Sequence, residues 1–214
     1  MRRLYLPDMS VHVIRRGNNR SAIFGDDADR ELFLALLEVT AARRGVDVHG
    51  FTMMSNHYHL VVTPKSEEAL PYMMRDLGRE YVLRYNRKYG RIGTLWAGRY
   101  RPIVIADERY WLTCLRYIEQ NPVRAGMVST PSDYRWSSFG FHGLGQPSDW
   151  LVPHPVYLAL GSTAEERQCA YRALCYEPLP DSDLVRQRNA LPAPLTRTNR
   201  HRIATSPDRD LTAT

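Results

Sequence analysis

The chain has 214 residues, is 43% hydrophobic and 24% charged, and carries a formal net charge of +6. That length suits one domain with an appendage rather than two full domains, and the excess of cations favours a polyanionic partner. Three cysteines without a C-x-x-C pair exclude a disulfide framework or a cysteine-built zinc site, and the lack of any run of about 18 apolar residues excludes a spanning helix. A reducing cytoplasmic setting away from the membrane is expected.

Residues 11–16 (VHVIRR) have the composition of a short strand that stops at the turn-forming Gly17-Asn18-Asn19. Asp26 and Asp27 are cap candidates for a helix over 28–44, with Leu32, Leu36, Leu37 and Val39 as its apolar stripe and Gly45 as its stop. Two extended runs, 46–54 and 57–63, flank Ser55-Asn56 and predict a hairpin. A second helix is predicted over 67–89, burying Leu70, Met73, Met74, Leu77, Tyr81 and Tyr85 and ending at Gly90. A loop leads to a strand at 100–105, and Asp107 can cap a third helix that must end near Pro122.

The order β-α-β-β-α-β followed by a helix predicts an α+β fold: a ferredoxin-like antiparallel sheet with two helices on one face and an extra helix left to pack elsewhere. The chain is expected to comprise a domain at 1–130, a partly helical extension at 131–177 with one helix near 163–175, and a basic tail at 178–214. That tail lacks aromatics and is expected to be disordered.

Three groups of residues carry chemistry. Strand periodicity puts His57 and His59 on one face and Tyr58, Leu60 and Val62 on the other, so two imidazoles can grip one divalent metal. On the third helix, Tyr117 and Asn121 lie four residues apart and share a face, while Trp111, Leu115 and Ile118 anchor another face to the sheet. Phosphodiester cleavage needs charge neutralised on the non-bridging oxygens, which a metal supplies, and an in-line nucleophile, which a tyrosine oxygen supplies. Residues 72–101 hold eight Lys or Arg against two acidic residues, interleaved with tyrosines and Trp96. Such a mixture suits a groove in which cations meet phosphates and rings stack on unpaired bases. Alone, H-x-H recurs by chance, Tyr117 fits a helix edge, and the basic stretch fits a solvated helix face.

In these residues the chain resembles the REP-associated tyrosine transposases, within the single-tyrosine HUH transposases of bacteria. The similarity runs through HVIRRGNNR (12–20), MSNHYHLVV (54–62), GTLWAGRYR (93–101) and RYIEQNPVRAGMV (116–128), and spans residues 9–140. It implies an HUH endonuclease fold in which His57 and His59 bind Mg2+ or Mn2+, Asn121 completes the metal shell and Tyr117 is the nucleophile. The implied activity is metal-dependent cleavage and rejoining of single-stranded DNA at hairpins through a 5′-phosphotyrosine, by a monomer or homodimer in the bacterial cytoplasm at the nucleoid. Arg75, Arg79, Arg84, Arg87, Lys88, Arg91, Trp96, Arg99, Arg101 and Arg124 are the DNA-contacting candidates. Two positions depart from the usual pattern: Tyr58 stands where a bulky apolar residue is common, and Asn121 where glutamine is frequent. The competing reading is a hairpin-binding protein or repressor that keeps the fold without catalysis.

Overall fold

A computed structural model describes residues 6–105 and 107–179. Four strands, β1 (Val11–Arg16), β2 (Val46–Met54), β3 (His57–Pro64) and β4 (Arg101–Val104), pair antiparallel in the order β2-β3-β1-β4. This is the expected ferredoxin-like sheet. Helices α1 (Asp27–Arg44) and α2 (Ala69–Tyr89) cover one face. Val11, Val13, Tyr58, Leu60 and Val62 point into the core between them, which is closed by Phe33, Leu37, Met73, Leu77 and Tyr81. The rings of Phe33 and Tyr58 lie 4.7 Å apart and those of Phe33 and Tyr81 5.2 Å apart, so each aromatic adds contact energy to the few kcal/mol, about 1.5–3, that full burial of a large side chain supplies.

The helix boundaries follow from capping. The Asp26 carboxylate accepts from the Asp29 backbone N–H at 3.0 Å to start α1, and Gly45 ends it at φ 66°, a left-handed conformation that only glycine adopts at little cost. Val39 is 49% exposed, so it does not belong to the predicted stripe; Phe33, Leu36, Leu37, Thr40 and Ala41 form the buried face instead. The last strand is two residues shorter than the predicted 100–105.

The opposite face of the sheet carries α3 (Glu108–Glu119), and a short α4 (Asn121–Arg124) restarts the helix around Pro122. The proline lacks an N–H and is tolerated in a first turn, so the chain breaks and restarts here rather than ending. Beyond it come α5 (Phe139–Leu144), α6 (Pro155–Leu158) and α7 (Ala164–Tyr176); the sequence foreshadowed only the last of these. This extension packs against the sheet: the Met53 N–H donates to Trp136 O, the Val152 N–H to Val48 O, and Ser137 and Leu151 form isolated bridges to β2. Leu179 is buried and Glu177 O accepts from Arg116 at 3.0 Å, so the chain is anchored past the expected boundary at 177. The rest of the expected tail, 180–214, lies outside the described residues. Among the described residues, no helix is long and apolar enough to cross a membrane.

Candidate active site

Sheet parity places His57 and His59 on the face under α3. Their rings stand 5.0 Å apart, near perpendicular, and that of His59 lies 6.2 Å from Tyr117. His57 Nδ1 is hydrogen-bonded to Asn56 Oδ1 at 2.7 Å, and His59 Nδ1 to His12 Nε2 at 2.8 Å. With both Nδ1 atoms held, Nε2 is left on each ring as the donor for a cation, the arrangement that orients histidine ligands. Burial, reinforced by Arg16, pushes His57 down to about 4; burial, with His12 next in effect, holds His59 well below the ordinary imidazole value. Both rings are therefore neutral near pH 7, and their lone pairs are available to a metal. The donor set fits Mg2+ or Mn2+ only with oxygen added from elsewhere, because such hard ions favour oxygen. Among the described residues no group of three His, Cys, Asp or Glu side chains is gathered for a metal.

Tyr117 is 6% exposed on α3. The Arg124 guanidinium sits 4.0 Å from its ring centroid, donates to Tyr117 O at 2.9 Å and donates to Asn121 Oδ1 at 2.7 Å. The amide oxygen expected to face the metal is thus engaged by Arg124. Asn121 Nδ2 is buried without a hydrogen-bond partner among the described residues, a cost of about 1–3 kcal/mol that a ligand or a rearrangement of the amide can relieve. Tyr58 is fully buried on the other face, where burial pushes its phenol up to about 12, so it is no second nucleophile for this site.

The back of α3 is clamped by the extension. Glu119, fully buried, accepts from Ser138 Oγ at 2.5 Å, His142 Nδ1 at 3.0 Å and the Tyr171 hydroxyl at 2.6 Å. The next residue, Gln120, donates through Nε2 to Cys175 O. A buried carboxylate is tolerated only when its lone pairs are filled in this way, and here the filling fixes the helix that carries Tyr117.

The basic stretch divides. A groove of ≈ 1170 Å³ is lined by Arg75, Arg79, Arg87, Arg91, Arg99 and Trp96, together with apolar Met74, Val82, Leu83 and Ile92. Arg15 of β1 closes it, stacked 4.4 Å from the Trp96 ring and lying so close to Gly78 that a Cβ there would be 2.2 Å from its Nη1. Arg84 is exposed but does not line the groove. Lys88 is bound to Asp26 at 2.7 Å and Asp29 at 2.8 Å, so its charge is spent on tying α2 to the start of α1. Within the groove, Arg75 is paired with Asp76 at 2.9 Å. Arg101 lies elsewhere, opposite Ile14 on the same sheet face as His59, with Nη1 buried and unpartnered among the described residues. Three residues of these two regions were not singled out from sequence: His12, Arg15 and Glu119. His12 and Arg15 sit in a strand legible by composition, but which neighbours they meet depends on pairing across 47 and 81 residues of chain.

The family described as "Transposase IS200 like" matches residues 5–121 of the chain. Among solved structures, a REP-associated tyrosine transposase bound to a REP hairpin superposes with a TM-score of 0.58 at 17% identity, covering 72% of this chain and 91% of that one. A putative transposase from Deinococcus radiodurans R1 gives a TM-score of 0.40 at 17% identity, covering 56% of this chain and 95% of that one. A search of curated proteins finds no match.

Proposed function

Since this chain belongs to the family of IS200-like transposases, and so processes DNA as those enzymes do, we propose that it cuts and rejoins single-stranded DNA at hairpins through a covalent bond to Tyr117. The observation that carries the reading is the meeting of His57, His59 and Tyr117 on one sheet face, with both histidines held through Nδ1. The REP hairpin bound by the REP-associated transposase of the same fold supports a hairpin as the substrate.

Mg2+ or Mn2+ bound by His57 and His59 would neutralise charge on a non-bridging phosphate oxygen. Asn121 is the proposed oxygen donor, once its Oδ1 is released by Arg124. Tyr117, deprotonated, attacks phosphorus in line; the bond from phosphorus to the 3′ oxygen breaks, and that oxygen leaves and takes up a proton. The products are a 5′-phosphotyrosine and a free 3′-hydroxyl. Attack by another 3′-hydroxyl reverses the exchange, so one phosphoester replaces another at each step and no nucleotide cofactor is consumed. The groove on the α2 side is the proposed path of the unpaired strand, with arginines on phosphates and Trp96 at its wall. The division into a catalytic part to residue 130 and an extension that braces it is part of the same proposal.

The test is incubation of labelled single-stranded hairpins with the protein and Mg2+ or Mn2+, followed by denaturing electrophoresis. A protein-linked band is expected for the wild type and none for Tyr117→Phe, which removes one oxygen and should fold and bind as before. Hairpin binding without an adduct under either metal would favour the non-catalytic binder, and an adduct formed by Tyr117→Phe would assign the nucleophile elsewhere.

A further inference from the structure

We propose that His12, on the neighbouring strand, is a positioning residue that fixes the ring and tautomer of the metal-binding His59; this rests on the reading of His57 and His59 as metal ligands. In the β1–β3 register Ile14 stands opposite His59 and Val61 opposite His12, so the two histidines are diagonal neighbours on one face. Their rings stack at 5.1 Å and 25°, and both residues are almost wholly buried, His12 at 1% and His59 at 2% exposure. The 2.8 Å contact between His12 Nε2 and His59 Nδ1 requires one proton between two nitrogens, so one ring donates and the other accepts. A His59 whose Nε2 lone pair serves a cation carries its proton on Nδ1. His12 Nε2 must then be the acceptor, which places the His12 proton on its own Nδ1.

The geometry excludes two blander roles. His12 is not a third ligand, because its Nε2 is turned to His59 and the described residues hold no three-fold group of ligating side chains. It is also more than filler, because its ring meets the edge of Tyr117 at 6.4 Å while holding His59, so one side chain backs both parts of the site. Histidine ligands usually give their second N–H to a carboxylate, a carbonyl or water. A neutral imidazole in that place adds no negative charge, which leaves the full charge of a bound cation to attract a phosphodiester.

The experiment is calorimetric titration of the full chain with Mn2+, without DNA, for wild type, His12→Phe, His12→Gln and the double variant His57→Ala/His59→Ala, each checked by its thermal melt. Phenylalanine keeps the ring and loses the acceptor; glutamine keeps an oxygen that can accept from Nδ1. Removing such a partner typically weakens metal binding by about 10–100-fold, and that loss is expected for His12→Phe, with His12→Gln within about threefold of wild type on the same ground. Wild-type affinity in His12→Phe overturns the proposal, and so does an equal loss in both His12 variants, which would mark a packing role alone. Wild-type binding that survives the double alanine variant, or no wild-type binding at all, overturns the reading of His57 and His59 and this inference with it, a failure recognisable because it does not depend on residue 12.

Discussion

Arg124 touches the Tyr117 ring, the Tyr117 carbonyl and the Asn121 side chain at once. A cation over a ring as buried as that of Tyr117 contributes about 2 kcal/mol, and hydrogen bonds to a charged group about 1.5–3 kcal/mol. Arg124→Met keeps much of the aliphatic stem and leaves Asn121 Oδ1 free, but removes the cation that lies over the Tyr117 ring and would steady a phenolate there, so the single-turnover rate of adduct formation should fall roughly tenfold, the equivalent of about 1.4 kcal/mol. Arg124→Lys should not restore it, since an ammonium lacks the planar guanidinium that stacks on a ring. An unchanged rate in the methionine variant would leave Arg124 with no part in the chemistry. Of these residues, His57 and His59 were legible in the sequence because strand parity is local. Arg124 was legible only as a cation near DNA; its seat on Tyr117 depends on the break at Gln120 and the restart around Pro122. His12 was invisible as a site residue because local periodicity sets its face within β1 but not the strand beside it.

The helix α2 was readable as an element, and its buried stripe of Leu70, Met73, Met74, Leu77, Tyr81 and Tyr85 is the one observed. Its cations were not readable as a group, since each was counted by composition while helical geometry sorts them by angle. Arg79 and Arg87 face the groove with Arg91 from the loop, Arg84 does not, and Lys88 is held by Asp26 and Asp29. Changing Arg79, Arg87 and Arg91 to alanine should therefore weaken single-stranded DNA binding and reduce the slope of log affinity against log salt by about 2, at roughly 0.7 for each phosphate no longer neutralised. Arg84→Ala should leave that slope within error. A triple variant with wild-type salt dependence, measured by fluorescence anisotropy, would move the strand path off this groove. The extension was the least legible element, because its Pro-, Ser- and Gly-rich composition reads as loop. Its role rests on tertiary contacts such as Ser138, His142 and Tyr171 converging on Glu119.

At the scale of the molecule, four histidines fold in a neutral form. Burial lowers His49 and His59, and takes His57 and His154 to about 4. The unfolded chain protonates these groups near pH 6.5, so below that value it binds more protons than the folded chain, and stability rises with pH across the interval. The metal-free protein should thus keep a steady melting temperature from pH 7 to 8.5 and lose stability progressively as pH falls from about 6.5 towards 4. Scanning calorimetry at fixed ionic strength checks this; a melt unchanged between pH 7 and 5 would mean that the buried rings ionise as freely as exposed ones.

One six-residue strand serves both sides of this arrangement. β1 sends His12 to the face that holds His59 and Tyr117, and Arg15 to the face where it meets Trp96 and the groove. Because neighbouring residues alternate between faces, inserting or deleting a single residue inside 11–16 would exchange the two sets of side chains and disable both at once. Heritable changes in chain length should accordingly be purged from β1, which acts as a fixed ruler between the two surfaces.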